Sequence, residues 1–189
     1  PTKILIVTDV FPYPVSRNGF TENITNLLLN LKDEKEFEID LVFIGDKNKI
    51  SQDGISSVSG LVNELFFRHL GNSKLIRLSK ILYGKNLNIE KSYDILFFAS
   101  FLSAYTRFNF SGEQKTILYQ ADSRTLFWSK RTGFVSRIRY YKYKLEQKLL
   151  FKYFTKIIFV SELDIEEVNQ YSKISDKSIV IPIGVNLPS

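Results

Sequence analysis

Asp122-Ser123, Asn18-Gly19, Asp9 and Ser161 are the residues whose type and position suit work on a polar, anionic substrate. Gln120-Ala-Asp122-Ser123 follows an apolar run; a carboxylate there can orient a hydroxyl or take its proton, and Asp122 is the candidate catalytic residue. The plain alternative is that Asp122 or Ser123 caps the next helix, since both types satisfy orphan amides. Asn18-Gly19 stands where a loop meets a helix start. Unpaired N–H groups and the positive end of the helix dipole suit a phosphate there, and glycine lets the backbone come close; otherwise Gly19 merely turns the chain. Asp9 follows the first apolar run and either shapes a proline-rich loop by Asx-type hydrogen bonds or touches substrate. Ser161 reads as an N-cap, with Asp164 three residues on as a capping-box partner.

Other chemistries lose support. The single histidine, His69, lies among Phe66, Phe67 and Leu70 and reads as a partly buried helix residue. With no second histidine and no cysteine, neither a metal site nor a Ser/His/Asp triad is expected on it. Gly-x-Gly-x-x-Gly and Gly-x-x-x-x-Gly-Lys-Ser/Thr are both absent, which removes the usual signatures of dinucleotide and P-loop sites.

The elements that position these residues follow from periodicity. Lys3 to Thr8 is a continuous apolar run, as in a strand buried on both faces. The loop from Asp9 to Asn18 holds two prolines and excludes helix or central strand. From Gly19, apolar residues at Phe20, Ile24, Leu27, Leu28 and Leu31 predict a helix. Strands are expected over 36–44, 93–98, 114–119, 157–160 and 178–181, and helices over 61–83 (broken at Gly71-Asn72), 134–153 and 162–171. The stretch up to Gly60 carries no clear period. Buried strands alternating with helices predict a mainly parallel sheet with helices on both faces, and ligands in such sheets bind beyond the carboxyl ends of the strands. The loops after Thr8, Ala99, Gln120 and Ser161 are therefore expected on one rim.

The 189 residues suffice for one domain with a real core. A hydrophobic share of 44% with 24% charged residues fits a soluble globular class. Zero cysteines exclude disulfides and fit a reducing compartment. No apolar run approaches the roughly 20 residues of a membrane span. The formal charge of +6 is uneven. Arg131, Arg137, Arg139, Lys142, Lys144 and Lys148 crowd one stretch in which Glu146 is the only acid, interleaved with Trp128, Phe134, Tyr140, Tyr141, Tyr143, Phe151 and Tyr153. Three readings stay open: an anionic membrane or lipid-phosphate surface, a single-stranded nucleic-acid groove, or a solvated basic face whose aromatics lie in the core. No RNP-type signature supports nucleic acid.

Three segments in order resemble the amino-terminal domain of GT-B glycosyltransferases, specifically the retaining group related to glycosyltransferase family 4. They are Lys3-Ile-Leu-Ile-Val-Thr-Asp-Val-Phe-Pro12 with Asn18-Gly19, then Tyr93-Asp-Ile-Leu-Phe-Phe98, then Lys156-Ile-Ile-Phe-Val-Ser161 with Ile181-Pro-Ile-Gly-Val-Asn186. The resemblance implies a Rossmann-like, doubly wound acceptor-binding domain over 1–189, with a carboxy-terminal donor-binding domain outside this chain. It implies a metal-independent retaining hexosyltransferase, with no cofactor because the nucleotide-sugar is a substrate. The expected acceptor is a cell-surface or lipid-linked glycan, and the fragment alone is expected to be inactive. Asn18 and Gly19 would meet the donor phosphate; Asp122, with Asp9, Ser123 and Ser161, would face the acceptor side. Asn18 stands where the family often has a first glycine, and no histidine occupies the acceptor loop. The expected location is cytoplasmic, with peripheral contact to the inner face of the cell membrane left open. The alternative is a stand-alone glycan- or phospho-ligand-binding module without catalysis.

Overall fold

A computed structural model describes residues 1–14, 19–69, 87, 89, 91–110, 112–121 and 123–182. Its described strands pair in parallel, as in the Rossmann-like α/β class. The chain forms two compact units, Pro1–Thr116 and Ile117–Ser189.

In the first unit, β1 (Thr2–Thr8) is central, pairing in parallel with β2 (Phe37–Ile44) and β4 (Ile95–Phe98), while β3 (Glu64–Arg68) pairs in parallel with β2. Ile4 to Val7, Ile39, Leu41, Val42, Leu96 and Phe98 are buried, so the apolar runs read in the sequence fill both faces of the sheet. Burying each such side chain contributes about 1.5–3 kcal/mol of transfer free energy. Helix α1 (Gly19–Lys32) buries Ile24 and Leu28, four residues apart on one face.

The second unit carries β5 (Lys115–Gln120, beginning at the boundary), β6 (Lys156–Phe159) and β7 (Ser178–Val180), paired in parallel in that order. Its long helix spans Phe134–Leu150 and ends in a 3-10 turn over Phe151–Tyr153.

Two expectations change. The first turn of the helix expected over 61–83 is strand β3: Leu65-Phe66-Phe67 is a short apolar aromatic run that fits a pleated, half-buried surface as well as a helix face, and pairing with β2 decides it. Residues 70–86, including Gly71-Asn72, lie outside the described set. His69 accordingly follows a strand and is exposed rather than partly buried in a helix. The stretch without a period contains helix α2 (Gln52–Ser59), opened by Ser51, whose Oγ accepts from the Gly54 amide at 3.2 Å. A second short helix, α3 (Phe101–Ala104), follows β4. In the second unit come α4 (Arg124–Ser129), α5 (Phe134–Leu150) and α6 (Glu162–Asn169).

Candidate substrate site

At the carboxyl end of β1 the chain must leave the sheet without orphaning its backbone. The Thr8 hydroxyl does this locally, donating to the Val10 carbonyl at 2.8 Å and accepting the Val10 amide at 3.1 Å. Phe11 then plugs into the core, edge-on to Phe43 with centroids 5.1 Å apart. The buried Thr25 of α1 donates toward the Pro12 carbonyl at 2.9 Å and its own Thr21 carbonyl at 2.8 Å, tying the loop to the helix. The bond from Tyr13 to Pro14 is cis. Tyr13 lies so close to Gly54 that a Cβ there would stand 2.7 Å from its ring, which explains that glycine.

This scaffold holds Asp9 half-buried at the strand end, where its Oδ1 accepts from the Ser100 hydroxyl. Ser100 follows β4, the strand beside β1, and is the N-cap of α3 in a reciprocal capping box with Ser103. A carboxylate and a serine hydroxyl are thus fixed against each other beyond two neighbouring central strands. Gly19 begins α1; its φ is not left-handed, and a Cβ built on it meets no atom within 4 Å. The fold therefore does not need glycine there. Asn18 lies outside the described residues.

In the second unit, Ser123 and Ser161 are both N-caps, of α4 and α6. One buried carboxylate joins them: Asp164 Oδ1 accepts the Ser123 amide at 2.8 Å, and Oδ2 accepts the Ser161 hydroxyl at 2.6 Å. Ser123 Oγ lies 2.8 Å from Thr125 Oγ1, which lies 2.7 Å from Tyr171 Oη, and Tyr171 donates to the buried Gln147 at 2.6 Å. Burial holds the Tyr171 phenol protonated well above the usual tyrosine range; the Thr125 hydrogen bond opposes this in part, and nearby Glu167 and Tyr140 add to it. Asp122, the candidate catalytic residue, lies outside the described residues. Sequence reasoning missed Ser100 and the bridging role of Asp164. The Ser100-x-x-Ser103 spacing after a strand is the local sign of the first, whereas Asp164 shows locally only its bond to Ser161.

Helix α5 carries Arg137, Arg139, Lys142, Lys144 and Lys148, with Arg131 just before it. Arg131 stacks on Phe127 at 4.1 Å from the ring centroid and Arg139 on Trp128 at 4.6 Å. Lys142 pairs with Glu146 at 3.6 Å. Phe151 is core, but Phe134, Tyr141 and Tyr153 are exposed, so the reading that puts the aromatics of this stretch in the core fails for those three.

A separate polar cavity of about 590 Å³ lies where β1, β2 and β3 begin, lined by Lys3, Asp40, Glu64, Lys91 and Tyr93 among others. Its charges answer one another: Lys91 Nζ is 2.5 Å from Glu64 and 3.3 Å from Asp40, and Tyr93 donates to Asp40 at 2.8 Å. Burial first, then that hydrogen bond, pushes the Tyr93 phenol far up. The cluster closes the amino end of the sheet. Among the described residues there is no group of three or more His, Cys, Asp or Glu side chains able to hold a metal ion, and no helix long and apolar enough to cross a membrane.

Fold and strand-end geometry define a Rossmann-like α/β protein with polar groups fixed at the carboxyl ends of its central strands. Solved structures with the same fold include sucrose-phosphate synthase from Thermosynechococcus elongatus (TM-score 0.71, 13% identity over 98% of this chain and 49% of that one). They also include a protein assigned as UDP-N-acetylglucosamine 2-epimerase from Listeria monocytogenes (0.61, 14%, covering 95% and 44%), and Anabaena HepE in complex with UDP and glucose (0.58, 10%, covering 98% and 45%). The chain thus spans about half the length of the solved structures it matches. At these identities the likeness is one of fold. No protein-family model and no curated protein sequence matches the chain.

Proposed function

We propose that this chain is the acceptor-side domain of a metal-independent, retaining glycosyltransferase that moves a sugar from a nucleotide-sugar onto a cell-surface or lipid-linked glycan. The observation that carries the reading is the Asp9–Ser100 pair beyond β1 and β4, in a fold whose open parallel sheets bind ligands at that end. The fold shared with HepE, solved with UDP and glucose, supports a nucleotide-sugar as donor. Asp9, held by Ser100, orients a substrate hydroxyl through its carboxylate. The start of α1 at Gly19 offers the amides of its first turn to a diphosphate, whose leaving-group charge they stabilise. Asp122 remains the proposed base or orienting group for the acceptor. Ser123 and Ser161 hold the helix starts that frame the second unit's strand ends.

Transfer needs a second, donor-binding domain, so the chain alone is proposed to lack appreciable activity. The test joins the chain to whatever coding sequence follows Ser189 in its gene and assays transfer from several nucleotide-sugars, with and without chelator. Expected are transfer by the joined protein only, retention of anomeric configuration and insensitivity to chelation. Robust turnover by the 189-residue chain would sink the half-enzyme reading. Nucleotide-sugar binding without transfer by the joined protein would favour a binding module, and epimerised donor would favour the 2-epimerase chemistry of a fold neighbour.

A further inference from the structure

Helix α5 turns an apolar stripe outward. Phe134, Ile138, Tyr141, Leu145 and Leu149 recur at spacings of four, three, four and four residues, and all are exposed, Phe134 and Tyr141 to 78% and 65%. At 3.6 residues per turn they fall within an arc of about 80° and run for about 22 Å along the helix. The opposite side is the one that packs: Gln147 and Leu150 are buried, and Tyr143 is half-buried beneath Arg124, 5.1 Å from its ring centroid. A surface helix of a globular protein ordinarily shows water its polar face. Here the outward face is large, aliphatic and aromatic.

Cations border the stripe on both sides. Arg137, Lys144 and Lys148 follow one edge and Lys142 the other, while Glu146 is the helix's only acid and is engaged by Lys142. Beyond the Phe134 end, Arg131 and Arg137 line an open pocket of about 540 Å³ with Trp128, Tyr140 and Tyr141. An apolar stripe edged by Arg137, Lys144 and Lys148 on one side and by the Lys142–Glu146 pair on the other, cationic in sum, complements a surface that is anionic in its polar layer and apolar just below. That describes a bilayer rich in anionic lipid. A protein partner would have to supply both an apolar ridge and an acidic margin.

We infer that α5 is an in-plane docking helix, which lays Phe134, Ile138, Tyr141, Leu145 and Leu149 into the interfacial region of an anionic membrane while the flanking Arg and Lys side chains meet lipid phosphates. This goes beyond the glycosyltransferase reading and does not depend on it: vesicle binding can succeed or fail whatever the nucleotide-sugar result.

The test exploits the absence of cysteine. Leu145→Cys on the stripe and Glu162→Cys on the exposed start of α6 are each labelled with an environment-sensitive fluorophore. The proteins are mixed with vesicles of phosphatidylcholine alone or with about one-third phosphatidylglycerol. Expected are at least about ten-fold stronger binding to the anionic vesicles, weakening in high salt, and a blue shift with quenching by lipid-borne quenchers at Leu145→Cys only. An Ile138→Ser, Leu149→Ser double variant, both sites being exposed, should fold unchanged by circular dichroism and lose about ten-fold in vesicle affinity. Equal or negligible binding to both vesicle types overturns the inference. So does loss on Arg137→Gln and Lys148→Gln without loss on the apolar variant, which would mean charge attraction with no insertion. A Leu145→Cys label already shielded without lipid, alongside concentration-dependent dimers in light scattering, assigns the face to a second copy instead.

Discussion

Asp9 in the first unit and Asp164 in the second are built into the same device: a carboxylate accepts from a serine hydroxyl that caps a helix just after a parallel strand. Their surroundings differ. Asp164 is buried at 5% exposure and takes two donors, the Ser123 amide and the Ser161 hydroxyl, tying the starts of α4 and α6 together. Asp9 is half-buried at the mouth of β1, where Ser100 holds it in place. A buried carboxylate with its donors satisfied is a structural tie, because removing it strands those donors away from water. A half-exposed carboxylate steadied by one hydroxyl keeps part of its surface toward solvent, as the proposed site role of Asp9 requires. Both devices would look alike as a Ser/Asp pair in a motif search; burial separates them.

The largest effect expected from this contrast is on Asp164. Asp164→Ala leaves the Ser123 amide and the Ser161 hydroxyl without their acceptor, and chemical denaturation should show a loss of about 3 kcal/mol. A loss under about 1 kcal/mol would mean that water or a neighbour replaces the carboxylate, and the tie would lose its meaning.

Next is the network that continues from Ser123 through Thr125 to Tyr171. Tyr171→Phe removes the donation to Gln147 and should cost about 1.5 kcal/mol near neutral pH. The same side chain predicts a pH dependence. Burial raises the folded phenol's pKa above its unfolded value near about 10, so above that pH the unfolded chain releases a proton that the folded chain keeps. Stability is therefore full below about pH 10 and falls as pH rises beyond it. Tyr93, also shifted upward, contributes in the same direction. Urea midpoints compared at pH 8 and above pH 10 should drop in the parent and drop less in Tyr171→Phe; identical slopes would exclude Tyr171 as a source.

How far these devices could be read in advance depended on how local they are. The Ile4–Val7 run and the helical period of α1 were plain, because a strand covered on both faces and a helix with one buried face each write their burial into nearby residues. The Ser161 cap was plain for the same reason, its partner standing three residues away. Strand β3 was misread because Leu65-Phe66-Phe67 is too short for its period to separate strand from helix, and only pairing with β2 settles it. The Asp164–Ser123 bond joins residues 41 apart and the Asp9–Ser100 bond residues 91 apart, distances at which nothing in the chain announces a partner. Exposure of the α5 stripe was equally hidden, since a helical period tells which residues share a face but not which way that face points.

Asp9→Ala is the converse of Asp164→Ala. With a half-exposed carboxylate removed, stability should change by less than about 1 kcal/mol, since water can take over the Ser100 hydroxyl. In the joined enzyme, transfer should fall at least about ten-fold, the cost of losing one positioned group. Similar losses of stability at Asp9 and Asp164 would erase the distinction between tie and site.

Gly19→Ala sets the smallest structural effect against a functional one. The new Cβ meets nothing within 4 Å and the backbone is not left-handed, so no strain is introduced. Alanine also costs less chain entropy than glycine at a helical position, and stability should stay within about 0.5 kcal/mol of the parent or rise slightly. If a diphosphate approaches the first turn of α1, the methyl group occupies the space it needs, and nucleotide-sugar affinity in the joined protein should fall several-fold with the melting temperature unmoved. Calorimetric titration of Gly19→Ala against UDP and a UDP-sugar decides it. Unchanged affinity would remove the start of α1 from the donor site and leave the proposed chemistry of the first unit resting on Asp9 and Ser100.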